Sequence, residues 1–251
     1  GIAAATRTNS GFELVLFDGS EDLYSNKMQK IPVASEITSL VLASPDGTTT
    51  SKDLFLLGGG EIGRISNIGR SLSAPAKISL PFRVQDFALG EFVRDRRAKA
   101  EIAVLSENGD VSYLQNGTLD TRPFTEKEMR AEFAKHGRGR TTVVNAVDDG
   151  SSFANNWTIS ETQNLGIFEF NRQNSQSYLQ KSYITGNETE DLIVMNPGES
   201  RIRILFKEPN TENNRSSFTS ETKVENVAFS SAPMAALPIR LNVMGQQGIA
   251  V

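Results

Sequence analysis

An acid, a short apolar run and a tight turn recur as one unit along this chain. That unit constrains the fold more than any other feature. It reads Asp53-Leu-Phe-Leu-Leu57 before Gly58-Gly59-Gly60-Glu61, and Glu101-Ile-Ala-Val-Leu105 before Glu107-Asn108-Gly109-Asp110. It returns as Asp191-Leu-Ile-Val-Met195 before Asn196-Pro197-Gly198-Glu199. Apolar runs this short, aliphatic and bounded by turn residues, are strands. The turns hold Asn and Gly, which tolerate positive φ. A second strand follows each turn: Ile62–Ile65, Val111–Leu114 and Arg201–Phe206, the last alternating polar and apolar as a half-buried strand does. Fainter copies open the chain, as Gly1–Thr6, a turn at Thr8–Gly11 and Phe12–Phe17, and close it, as Gly248–Val251.

The copies start near residues 1, 53, 101, 191 and 247, at intervals of about 52, 48, 90 and 56 residues. The long interval is twice 45, so a divergent copy is expected within 141–170, where Thr141–Val147 and Leu165–Phe170 can be strands. Several short strands per unit at this period predict propeller blades. A β-sandwich also has many short strands, but not this repeated unit. The predicted class is therefore all-β: a β-propeller of about five visible blades of antiparallel sheets over 1–251, as one domain or a fragment of a larger propeller. The start at Gly1, inside a strand, suits an excised segment. One helix is expected as an insertion at about 124–136, with Thr125 as N-cap, Glu128 completing a capping box, and Phe124, Met129 and Phe133 facing the blades. Residues 208–222 are polar and read as a loop between blades.

The clearest copy spans 86–117. There Phe87-x-x-Gly90-Glu91-Phe92 leads in, Val93–Ala100 forms a charged loop, and Glu101–Leu105 precedes Gly109-x-Val111. These residues resemble the FG-GAP repeat of integrin α-like propellers and the related VCBS repeats of large bacterial surface proteins. Asp191–Met195 with Asn196-Pro197-Gly198, and Ala232–Asn242 before Gly248–Val251, look like further copies. The resemblance implies an extracellular or cell-surface repeat protein whose loops often hold Ca²⁺ through alternating side-chain oxygens. Here the loops depart from that pattern. Val93–Ala100 has one acid among four bases, Tyr183–Glu190 lacks alternating carboxylates, Asp46 is followed by threonines, and Asn242–Gln247 has no acid. Calcium is therefore not expected, and no cofactor is assigned.

Charge and composition bound the function. With 26 basic and 30 acidic residues, net −4, the chain lacks the basic excess that nucleic-acid binding uses. Absence of cysteine excludes disulfides and thiolate metal sites. No run approaches the ~20 apolar residues of a membrane helix, so no membrane insertion is expected. No signal peptide opens the sequence. Gly58-x-Gly60-x-x-Gly63 fits a dinucleotide fingerprint, but Arg64-Ile-Ser-Asn-Ile-Gly69 does not open the helix that a pyrophosphate needs, so it reads as a hairpin. His136, the single histidine, has no zinc or triad company and suits the end of a helix beside Lys135 and Arg138; with Arg140 these bases form a solvated loop rather than an anion site. Trp157, after Asn155-Asn156, could stack on a sugar but reads better as a packing residue. Asn116, Asn156, Asn187 and Asn214 fit the N-glycosylation pattern.

No catalytic, cofactor-binding or metal-binding residue is singled out. The expected function is a non-catalytic extracellular scaffold whose partner is a protein or a carbohydrate. The alternatives are a propeller glycosidase or lyase with channel carboxylates, and a lectin-like sugar binder using Trp157.

Overall fold

The computed structural model describes residues 2–17, 28–45, 52–66, 68, 74–93, 95, 99–120, 125–128, 130, 156–166, 177–187, 189–208, 221–240 and 247–251. Among them are seventeen strands in five antiparallel sheets. They fall into two compact units, one of residues 1–44 and 49–84, the other of 45–48 and 85–251.

The first unit holds two sheets. One is a three-stranded meander of β1 (Ile2–Thr8), β2 (Gly11–Phe17) and β3 (Met28–Val33). The other runs β4 (Ile37–Ala43), β5 (Asp53–Gly58), β6 (Glu61–Ile65) and β7 (Ala76–Ile78), each paired with the next. Gly58-x-Gly60-x-x-Gly63 is the β5–β6 hairpin: Gly58 pairs with Glu61 across Gly59 and Gly60, whose φ values are 60° and 79°. Two successive positive φ angles define the turn whose twist matches that of a hairpin. Leu54 and Leu56 of β5 and Ile65 of β6 pack with Leu14, Leu16 and Ile31 of the first sheet.

The second unit repeats the plan. One sheet runs β8 (Val84–Gly90), β9 (Glu101–Ser106), β10 (Asp110–Asn116) and β11 (Trp157–Asn164); the next runs β12 (Tyr178–Ser182), β13 (Asp191–Met195), β14 (Arg201–Lys207) and β15 (Thr222–Ala228). A two-stranded sheet of β16 (Leu237–Arg240) and β17 (Gln247–Ala250) follows. The acid-led runs at 53, 101 and 191 and the Gly248 run thus all occupy the second strand of four different sheets. This is the antiparallel blade pattern that the repeat predicts.

Packing explains why these second strands are continuously apolar. Leu192 and Val194 point into a core with Ala103, Leu105, Val111 and Leu179. Ile193 and Met195 point the other way, into a core with Ile202, Val227 and Ile249. A strand covered on both faces loses the alternation of a half-exposed one. Burying each such aliphatic side chain stabilises by roughly 1.5–3 kcal/mol.

Three expectations change. β14 is not half-exposed: Arg203 is buried, and its guanidinium lies 2.9 Å from the Glu199 carboxylate. The strand expected at Leu165–Phe170 does not begin at Leu165, because β11 already ends at Asn164, whose Oδ1 accepts the Gly166 N–H (2.8 Å) while Gly166 turns at φ 83°. Thr222, placed at the end of a loop, is instead the buried first residue of β15. Residues 141–147, 167–170 and 209–220 lie outside the described residues. Within the expected insertion, 126–128 and 130 are helical, and the capping box forms: the Thr125 N–H donates to Glu128 Oε2 (2.8 Å) and the Glu128 N–H to Thr125 Oγ1 (3.3 Å).

Candidate functional site

The anchor acids shape the loops that precede their strands. Asp191 Oδ2 accepts the N–H groups of Ile184 (2.6 Å) and Thr185 (2.8 Å), and its Oδ1 accepts the Thr185 hydroxyl (2.8 Å). Glu101 Oε2 accepts the N–H groups of Phe92 (2.8 Å) and Val93 (3.0 Å). Two successive loop N–H groups are thus tied to the first residue of the strand in both sheets. Asp53 differs: it is buried against Arg64 of β6, with Nε at 2.7 Å and Nη2 at 2.5 Å from its Oδ2.

A second repeated device joins neighbouring sheets of the second unit. The Glu190 N–H donates to the Glu91 carbonyl (2.8 Å), and the Glu91 N–H returns to Glu190 Oε2 (2.9 Å). One sheet later the Gln247 N–H donates to the Tyr183 carbonyl (2.8 Å), and the Tyr183 N–H returns to Gln247 Oε1 (2.8 Å). Glu91 and Tyr183 each directly follow the first strand of their sheet; Glu190 and Gln247 stand just before Asp191 and Gly248. Gly90 is required beside this clasp, because a Cβ there would fall on the Glu190 carboxylate and 2.8 Å from the Phe92 ring. This accounts physically for Gly90-Glu91-Phe92. Farther out, Lys207 Nζ reaches Glu161 Oε2 (2.5 Å) and lies 5.4 Å from the Tyr113 ring centre.

Burial sets the electrostatics. It pushes the Glu101 carboxyl up to about 8, against the pull of the Val93 and Phe92 N–H groups and with a further push from Asp95 and Glu91. It also raises Asp191 and Asp86, in each case against the hydrogen bonds the carboxylate accepts. Burial acts upward on Glu161 too, but the bonds from Lys207 and Thr222 prevail and hold that carboxyl below its ordinary value.

The second unit also contains a cleft of about 390 Å³, which none of the sequence candidates marks. Its walls come from Asp86 on β8, Tyr178 and Gln180 on β12, Ile193 and Met195 on β13, and Met234 in the segment before β16. Asp86 is held in place by its neighbours: Oδ2 accepts the Leu179 N–H and Oδ1 the Phe87 N–H, both at 2.9 Å. Met234 is 96% exposed and Tyr178 48%. Sequence reasoning missed the cleft because its residues come from four separated segments and share no motif.

The sequence candidates are not brought together. Trp157 is buried at the start of β11, paired with Asn116, so its ring offers no open face for a sugar. His136, Lys135, Arg138, Arg140, Asp46 and Asn214 lie outside the described residues. Among the described residues no three His, Cys, Asp or Glu side chains are grouped to hold a metal, and no helix is long and apolar enough to cross a membrane.

No family model matches this sequence, and no curated protein matches it. Among solved structures, the crystal structure of BBS1N in complex with ARL6DN, soaked with mercury, is similar at 14% identity and a TM-score of 0.43, over 98% of this chain and 62% of that one. The chain therefore spans less than two thirds of that protein's length. At that score the likeness carries no argument about this chain.

Proposed function

We propose that this chain is a non-catalytic scaffold of propeller blades that binds a protein or glycan partner, as part of a larger bacterial extracellular or cell-surface protein of the FG-GAP/VCBS kind. One observation carries the non-catalytic reading: the anchor and loop acids are taken up by architecture. Asp53 is paired with Arg64, Glu101 and Asp191 hold their loops, Glu190 clasps the next sheet and Glu161 binds Lys207. Carboxylate-pair hydrolysis needs two acids facing one reacting bond. Among the described residues the lining of the cleft contains a single acid, Asp86. A rigid framework that presents loops and an open cleft suits binding.

The resemblance of 86–117 to FG-GAP and VCBS units supports the surface location. The departures in its loops support a domain that is stable without calcium. Since a ligand at a hundredfold excess over its Kd raises stability by roughly 2.7 kcal/mol, the melting temperature should be the same in EDTA and in calcium. The function itself is tested by a glycan array and a displayed peptide library beside a panel of glycosidase and lyase substrates. Binding without turnover is expected. Turnover abolished by changing one or two channel-facing acids would replace the scaffold with an enzyme.

A further inference from the structure

We infer that the cleft of the second unit binds a peptide segment of a partner protein in which a lysine or arginine is flanked by apolar side chains. This deepens the scaffold reading and rests on it. Ile193 and Met195 supply an apolar floor, and Met234 an exposed, flexible apolar wall. Methionine adapts its shape to different apolar partners. Leu237 and Ile239 of β16, three and five residues after Met234, are also exposed apolar side chains, so the chain beside the cleft offers a peptide more than one apolar contact.

Charge selects the rest. Among the described residues of the lining, Asp86 is the one charged side chain. Each of its oxygens accepts one backbone bond, which leaves further lone pairs for a donor. Burial already disfavours its charged form. Covering it with a purely apolar segment would deepen that desolvation, and an acidic segment would repel it. A guanidinium or ammonium offsets both. The half-exposed ring of Tyr178, in the same lining, offers a second cation-binding surface through its π face.

The test is a phage-displayed random heptapeptide library selected on the whole chain, then on the Met234→Asp and Asp86→Asn variants. Met234 is almost fully exposed, so its replacement reports on binding and not on folding. The expected result is enrichment of peptides with Lys or Arg beside apolar residues. Replacing that cation by glutamine in the synthetic peptide should weaken binding about tenfold or more, a loss of ~1.4 kcal/mol. Asp86→Asn should erase the difference between the two peptides, and Met234→Asp should weaken both. Enriched peptides without a cation, or enrichment untouched by either variant, would overturn the cleft while leaving a binding scaffold standing. No enrichment would also overturn it, and catalytic turnover in the substrate panel would remove the scaffold reading as well.

Discussion

The Asp191 loop and the Glu101 loop occupy the same place in neighbouring sheets and are closed by the same device, yet they leave their acids in different states. Each acid takes two successive loop N–H groups on one oxygen: Ile184 and Thr185 in the first case, Phe92 and Val93 in the second. The aligned second residues are Thr185 and Val93. Thr185 adds a hydroxyl bond to Asp191 Oδ1, whereas the buried Glu101 Oε1 has no hydrogen-bond donor among the described residues. Thr185 thus gives Asp191 a bond that Val93 does not offer Glu101; burial pushes both carboxyls up, Glu101 to about 8, where Asp95 and Glu91 add to the push. Asp53 shows a third solution, an arginine from the next strand.

The largest effect should come from pH. Glu101 binds its proton more tightly when folded, at about 8 against an ordinary 4.5. The folded state therefore holds more protons between those values, and stability falls as pH rises through the window. The slope is at most about 1.4 kcal/mol per pH unit, or roughly 5 kcal/mol across the whole shift. Urea unfolding between pH 5 and 9 should show the decline in the native chain and a much shallower one in Glu101→Gln, where Asp191 and Asp86 remain raised. Val93→Thr, which copies the Asp191 loop, should flatten it in part. An unchanged profile in Glu101→Gln would show that Glu101 is not the acid responsible.

Removing the arginine from the third solution comes next. Arg64→Met takes the buried guanidinium away from Asp53, a loss of ~3–5 kcal/mol. Adding Asp53→Leu should recover most of it in the same denaturation assay. A single variant as stable as the native chain would mean that the pair contributes nothing.

The clasp beside the Glu101 loop is more modest. Gly90→Ala forces a methyl onto Glu190 and the Phe92 ring, and overpacking of this kind costs ~1–3 kcal/mol. Hydrogen exchange should quicken at the Glu91 and Glu190 amides before the strands open. An effect no larger is expected from Thr185→Val, which turns the Asp191 loop into a copy of the Glu101 loop. It removes one hydrogen bond to a buried carboxylate, about 1–3 kcal/mol. It should also add to the fall in stability at high pH, and a pH profile parallel to that of the native chain would contradict the comparison.

Several parts of the fold were legible as local chemistry. The strands at 53, 101 and 191, with their turns, follow from short aliphatic runs and from glycines at positive φ: Gly59, Gly60, Gly109 and Gly198. The capping box of Thr125 and Glu128 is equally local. The outer strands were harder to see. β11 and β15 are largely exposed on both faces and carry Thr, Glu, Lys and Asn, so their sequences hold little apolar pattern. Pairing with β10 and β14 makes them strands.

What the amino-acid order determined alone is the repeat, its period and the identity of the second strand in four of the five sheets, because these rest on contacts between close neighbours in the chain; in the first sheet the run near residue 1 is instead the first strand, β1. The role of each anchor acid was decided only by the tertiary structure. Asp53, Glu101 and Asp191 look alike as letters. Their states depend on a partner eleven residues away, a loop nine residues back and a single threonine hydroxyl. The cleft depends on still longer reach, since Asp86 meets Leu179 across 93 residues. Burial and hydrogen bonding are properties of the assembled sheets, and they set the charge of a carboxyl in a way that spacing in the sequence does not encode.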